Sequence, residues 1–393
     1  MTIKTPMAGV RTIAAVLIGM ALIGWAASVA QTAPVVPSGK IRTYFIAADE
    51  VDWDYAPGGV NKMMGMKFEG YSKTFVEKGP HRIGTAYRKA IYREYTDETF
   101  SQLKPRPAEW ATTGILGPIL RAEVGDTIKI IFKNNATRPY SMHPHGVFYD
   151  KDSEGAPYAD GTSGADKEDD AVPPGKAHTY TWKVPERAGP GPNDPSSVVW
   201  LYHSHTNERK DVASGLVGAM IVSRRGIADE NGKPKDVDRE FVCLFQLFDE
   251  NVSWYLDHNI QTFTGDPKGV NKLEQDPVVD NGPFGLGSGF SVANVKFTIN
   301  GYIYGTGPMM TMKRAERVRW YLLALGNQFS MHTPHWHGNV VVHDGRRTDV
   351  VPLMQAQMET VDMVPDNPGI WMFHCHIDDH MDAGMATLYK VEP

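Results

Sequence analysis

The chain carries Gly369-Ile370-Trp371-Met372-Phe373-His374-Cys375-His376-Ile377-Asp378-Asp379-His380, followed shortly by Gly384-Met385. The apolar residues 370–373 read as a buried strand. Side chains alternate along a strand, so His374 and His376 face one way and Cys375 the other. A thiolate, two imidazoles and a distant thioether form the ligand set of a blue, electron-transferring copper site. Cys375, His380 and Met385 supply three of those four ligands. The flanking histidines are then free to hold other metal ions, and the strand joins two metal sites through a few covalent bonds.

Working outward, the same pattern recurs. His143-Pro144-His145-Gly146 aligns with His335-Trp336-His337-Gly338, and His203-Ser204-His205 with His374-Cys375-His376. The mismatches carry information. Tyr140 stands where the second half has His332, Ser204 where it has Cys375, and Arg209 where it has His380. The first half therefore holds no blue copper, whereas both halves keep the paired histidines. If 331–338 is extended, His332 faces away from His335 and His337 and joins Cys375, His380 and Met385. Eight imidazoles remain: His143, His145, His203, His205, His335, His337, His374 and His376. They suit three copper ions. A closed zinc site needs about four ligands, usually with thiolates, and fits this set poorly. His81, His178, His258 and His343 read as ordinary structural histidines.

Strand-like runs separated by turns fill the rest of the chain: 41–53, 85–100, 115–133, 179–184, 198–202, 216–223, 241–248, 297–304, 317–325, 340–351 and 358–364. No long helical periodicity is evident. The pattern predicts an all-β chain of two sandwich domains. A charged Gly/Pro-containing stretch at 224–240 sets the boundary, giving domains 31–225 and 226–393. Residues 1–30 read as an export signal, with Lys4 and Arg11, an apolar stretch and a small-residue end. The mature chain is expected to be periplasmic or secreted, and loss of the signal takes the formal charge from −6 to −8. That sign argues against nucleic acid as a partner. Two cysteines make no disulfide scaffold, and Cys243 reads as a buried free thiol. Asp169 and Asp170, in a Gly/Pro-rich loop, read as solvated surface. Met63, Met64, Met66, Met309, Met310, Met312, Met354, Met358 and Met363 read mainly as core filler, with a cuprous-ion site as the sharper alternative.

The four histidine clusters resemble the four copper signatures of the multicopper oxidases, in order. The flanks are similar to those of ceruloplasmin-related members, at Tyr44-Phe45-Ile46-Ala47-Ala48, Asp160-Gly161-Thr162-Ser163-Gly164-Ala165, Pro173-Pro174-Gly175 and Trp200-Leu201-Tyr202. The resemblance implies two tandem cupredoxin-like Greek-key β-sandwich domains and four coppers per chain. It implies type 1 copper at His332, Cys375, His380 and Met385, and type 2 copper at His143 and His335. One type 3 copper would take His145, His203 and His376, and the other His205, His337 and His374. It also implies a homotrimer whose clusters lie between chains.

The expected reaction passes electrons one at a time from a small donor through Cys375 to His374 and His376, and on to the reduction of dioxygen to water. A laccase-like phenol is the first expectation for the donor. Asp379, beside His380, is the residue that ferroxidase relatives also carry and favours metal-ion oxidation. Those relatives also place an acid and a histidine where this chain has Val292 and Phe297, which weakens an iron reading. Copper nitrite reductase and a non-catalytic electron carrier are the remaining alternatives.

Overall fold

The computed structural model describes residues 39–274, 287–326 and 330–393. The export-signal segment and part of the Gly/Pro-rich stretch near 282–289 lie outside them. Long alternating runs of β-branched and aromatic residues form strands because such side chains pack on a pleated surface. In β4 (Thr127–Asn134), Ile128, Ile130 and Phe132 point inward and are buried, with the intervening residues less so.

The first half builds two sheets. One has the order β2 (Ala86–Tyr95), β1 (Ile41–Asp54), β4, β6 (Ala177–Lys183). The other has β3 (Leu120–Glu123), β8 (Val217–Ser223), β7 (Ser197–His203), β5 (His143–Pro144). The second half repeats both. Its larger sheet runs β10 (Val295–Ile299), β9 (Arg239–Asp249), β12 (Val318–Ala324), β16 (Met358–Met363), then β14 (Val341–His343) and β15 (Arg346–Thr348). Its smaller sheet runs β11 (Met310–Lys313), β18 (Ala386–Glu392), β17 (Gly369–Cys375), β13 (Pro334–Trp336). Parallel pairs recur at matching places: β1 with β4 and β9 with β12, then β3 with β8 and β11 with β18. This is the two-sandwich, all-β architecture expected from the sequence.

No sheet mixes the halves among the described residues, yet the hydrophobic core does. One cluster joins Tyr55, Phe75, Ile115 and Leu201 to Leu244, Trp320 and Phe373. Burying each such large side chain contributes about 1.5–3 kcal/mol. Polar contacts also cross. Trp53 Nε1 donates to Gly301 O at 2.8 Å, and the buried Lys89 ammonium meets the buried Glu250 carboxylate.

Three sequence expectations change. Residues 370–373 form strand, but only Phe373 is buried, and Ile370 is 58% exposed. Ile370 and Met372 share the His374 face, which is exposed at Ile370 and closes by His374, whereas Phe373 and Cys375 face the core. Asp169 and Asp170 are buried rather than solvated. The Asp169 carboxylate accepts the Gly155 N–H at 2.6 Å, and Lys167 pairs with Asp170 at 3.3 Å. The methionines divide: Met310, Met312 and Met363 are core, whereas Met64, Met66, Met309 and Met354 are exposed. Cys243 is a buried free thiol, as read.

Candidate metal centres

Equivalent pairs of strands set the histidines. β5 pairs with β7 so that His143 lies opposite His203, and β13 pairs with β17 so that His335 lies opposite His374. The next backbone bonds also correspond: His145 N–H to Leu201 O at 2.9 Å, and His337 N–H to Met372 O at 3.0 Å. A glycine must follow each hairpin histidine. Gly146 (φ +76°) and Gly338 (φ +71°) lie flat against Trp200 and Trp371, where a Cβ would fall 2.2 and 2.6 Å from the indole.

Each half thereby gathers four rings. In the first, the His143 ring lies 5.7, 5.5 and 5.0 Å from those of His145, His203 and His205. In the second, the His335 ring lies 4.8, 5.2 and 5.1 Å from those of His337, His374 and His376. Within each quartet one Nε2–Nε2 pair approaches to 3.1 Å: His145 with His203, and His337 with His374. Backbone carbonyls hold the opposite nitrogen of four rings: His143 Nδ1 to Glu154 O, His203 to Ser204 O, His335 to Asp349 O and His374 to Cys375 O. Such bonds fix the tautomer that leaves Nε2 as a lone pair. Ring contacts among these eight histidines stay within one quartet or the other.

The third group is separate and buried. Cys375 Sγ lies 3.9 Å from His332 Nδ1 and 3.6 Å from His380 Nδ1, and all three residues are buried. His332 therefore faces away from His335 and His337, as strand parity predicted. Met385 is buried. Its N–H donates to His380 O at 2.8 Å, and its carbonyl accepts the Cys375 N–H at 3.0 Å. Phe245 and Phe297 pack on the two imidazoles at 5.9 and 5.2 Å. Burial drives the imidazoles neutral, with His332 lowered to about 3 and His380, His374 and His145 to about 4. Burial also raises the Cys375 thiol. Neutral imidazoles and a thiol that ionises on metal binding are the donor set a copper ion requires, so these residues fit the metal.

His380 belongs to α5 (Asp378–Asp382), which brings Asp378, Asp379 and Asp382 beside it. Asp379 is raised by burial, then by Asp382 and Asp378. Its Oδ1 has no hydrogen-bond donor among the described residues. A cavity of about 650 Å³ opens on His380 and Asp379 and is lined by Val292, Phe297, Glu208, Arg209 and Asp249. Sequence reading singled out Val292 and Phe297 as the positions where ferroxidase relatives carry an acid and a histidine. It missed Glu208 and Asp249, which reach the cavity through folding alone. Tyr71, whose phenol is raised by burial and then by Asp379 and Asp382, was also unmarked in the sequence. The four remaining histidines serve elsewhere, for example His343 against Glu359 at 2.9 Å.

Comparison with known proteins agrees with this geometry. Multicopper oxidase family profiles match residues 95–226 and 283–393. The chain is 47% identical over 354 residues to the ferroxidase HEPHL1 of Homo sapiens, covering 89% of this chain and 29% of that protein. It is 40% identical to hephaestin of Mus musculus (94% and 31% covered) and 40% identical to ceruloplasmin of Homo sapiens (89% and 30% covered). It thus spans about 30% of the length of these relatives. A solved multicopper oxidase shares the fold at a TM-score of 0.54 and 21% identity, covering 91% of each chain. A copper nitrite reductase from Nitrosomonas europaea does so at 0.54 and 17%, covering 89% of this chain and 94% of that one. The chain belongs to the multicopper oxidases, within their ceruloplasmin-related cupredoxin family.

Proposed function

We propose that this protein oxidises a metal ion, Fe²⁺ or Cu⁺, at a blue copper held by His332, Cys375, His380 and Met385, and reduces dioxygen at a three-copper cluster. The observation that carries this reading is the alternation at 374–376, which puts a buried thiol in one site and both neighbouring imidazoles in another. Bound copper would supply one-electron exchange at Cys375 and dioxygen reduction at the histidines. The chain's part is to connect and insulate them. Cys375 is peptide-bonded to both His374 and His376, and the 2.8 Å bond from His374 Nδ1 to Cys375 O shortens the route further. Cys375 is fully buried in the apolar cluster that includes Phe245, Trp336 and Phe373.

The cluster assignment takes His143 with His335, His145 and His203 with His376, and His205 with His337 and His374. Every such ion needs rings from both quartets. Because the quartets do not touch within one chain, the ions are proposed to lie between chains, in a homotrimer with four coppers per chain. The exposed Ile370 on the His374 face, and the exposed Val340 beside His335 and His337, support an interface there. The same reading keeps two domains meeting near 225–226 and an exported mature chain. Among the described residues no helix is long and apolar enough to cross a membrane.

Phenol oxidation, the first expectation from sequence, gives way to metal-ion oxidation. The relatives named ferroxidase support that change, as does an unpartnered carboxylate oxygen among three clustered aspartates. The valine and phenylalanine lining the cavity favour a small organic donor as the second reading. Steady-state oxygen uptake with Fe²⁺, Cu⁺ and a phenol, on native protein and Asp379→Ala, separates the two. Metal-ion oxidation should fall roughly 10–100-fold, with phenol rates held. Equal losses would remove the proposed role of Asp379.

A further inference from the structure

Three thioethers, Met63, Met64 and Met66, fall within four residues and belong to none of the centres above. Two reciprocal backbone bonds, Asn61 N–H to Met66 O at 2.9 Å and Met66 N–H to Asn61 O at 3.3 Å, close 61–66 into a hairpin. The buried Asn61 side chain accepts the N–H groups of Met63 (3.0 Å) and Met64 (3.2 Å), and Gly65 makes the turn at φ +67°. Methionine ordinarily fills gaps in cores. Here Met64 is 69% and Met66 44% exposed, on a rigid turn that offers them no core.

The hairpin is docked beside the blue-copper site. Lys62 N–H donates to Tyr304 O at 3.2 Å, and its ammonium donates to Thr306 O at 3.1 Å. The Met63 sulfur rests on Gly305, where a Cβ would lie 2.9 Å from it. Tyr304 N–H bonds Gly384 O and Gly305 N–H bonds Ala386 O, each at 2.8 Å, so these two residues bracket Met385. Tyr304 also donates to Asp382 O at 2.9 Å, beside the acidic cluster. The hairpin thus stands one hydrogen-bonded layer from the segment that carries Met385.

We propose that the 61–66 hairpin is a binding site for Cu⁺ that presents this ion as electron donor to the neighbouring blue copper. The inference rests on the metal-ion-oxidase reading and names its donor. Thioether sulfur is a soft, neutral ligand that selects Cu⁺ over Fe²⁺, which prefers oxygen and nitrogen. Each bound Cu⁺ gives up one electron and leaves as Cu²⁺, which thioethers hold less well. Four such electrons and four protons convert one dioxygen to two waters.

The test uses the full copper-loaded protein. Ag⁺, a redox-inert stand-in for Cu⁺, is titrated by calorimetry into native protein and into the variant carrying Met63→Leu, Met64→Leu and Met66→Leu. Leucine keeps the apolar volume; should the triple variant fold poorly, Met64→Leu alone, at the most exposed position, takes its place. Groups that merely support a metal ligand are worth 10–100-fold in affinity, so loss of the ligands should weaken Ag⁺ binding at least about 100-fold. The KM for Cu⁺ in oxygen uptake should rise in parallel, with kcat and all Fe²⁺ parameters unchanged. Equal Ag⁺ affinity in native and triple variant overturns the site. Native protein that binds Ag⁺ through the hairpin yet oxidises neither metal ion refutes the oxidase reading while supporting the site.

Discussion

Replacing Gly338 by alanine tests whether tryptophan indoles seat the histidine hairpins. Gly338 sits at φ +71°, and a Cβ there would lie 2.6 Å from the Trp371 ring. An L-residue in the left-handed region costs about 1–2 kcal/mol. Forcing a methyl into filled space adds about 1–3 kcal/mol. Together these give about 2–5 kcal/mol. Gly345 provides the control: its φ is +72°, but no heavy atom lies within 4 Å of its Cβ position. Gly345→Ala should therefore cost only the backbone part, about 1–2 kcal/mol. Urea unfolding of the apo variants measures the gap, since ΔG falls linearly with denaturant. Displacing the indole also moves His337, whose N–H is held by Met372 O next to Trp371. Copper content after loading should fall in Gly338→Ala and hold in Gly345→Ala. Gly146→Ala, facing Trp200, should copy the first result. Equal unfolding midpoints for Gly338→Ala and Gly345→Ala, with full copper in both, would refute the reasoning.

Cys375→Ser should remove the blue absorption and donor oxidation while leaving histidine-bound copper in place, as read by absorption and elemental analysis; persistent blue colour counts against the ligand assignment. The variant should fold, because Ser204 already occupies the matching position and accepts the Ser141 N–H at 3.1 Å, as Cys375 Sγ accepts the Thr333 N–H at 3.4 Å. Dilution to single chains should stop oxygen uptake with the blue band intact, since one chain supplies all four blue-site ligands but only separate quartets. Oxygen consumption by chains sedimenting as monomers would exclude a cluster shared between them.

The grouping of the histidines and Cys375 was legible because strand parity is a strong constraint. Once 369–375 is extended, His374 and Cys375 must face opposite ways, and register then places His335 across from His374. Other features depend on contacts distant in sequence. The short β11 and the helix α3 (Leu256–Phe263) were not foreseen, and the strand expected over 297–304 stops at Ile299, where Asn300 turns to φ +55°. Charge pattern could not separate Asp169 from a surface acid, because its burial comes from Gly155 and Tyr180 closing over it. Exposure of Ile370 was equally hidden, since a short apolar run reads alike whether its side chains meet a core or solvent.

In the first half, hydrogen bonds fill the place that His332 and Cys375 occupy in the second. Tyr140, in the position of His332, is fully buried and its hydroxyl meets that of Tyr255 at 3.1 Å; Tyr255 in turn donates to Glu50 at 2.9 Å. Ser204, in the position of Cys375, donates to Asp211 at 2.8 Å, and Trp254 Nε1 donates to the same carboxylate at 2.8 Å. Leaving such groups unpaired would cost about 1–3 kcal/mol each, so the network satisfies the polar groups that stand in place of His332 and Cys375. Arg209, in the position of His380, turns instead toward the cavity that opens on His380 itself. Ser204→Cys alone should therefore show no blue absorption after copper loading, because Tyr140 still stands where the second half has His332; a blue band would count against the ligand assignment. The two halves differ accordingly: the second holds the buried Cys375 between His332 and His380, whereas the first keeps its four imidazoles and lends Glu208 and Arg209 to the cavity that opens on His380.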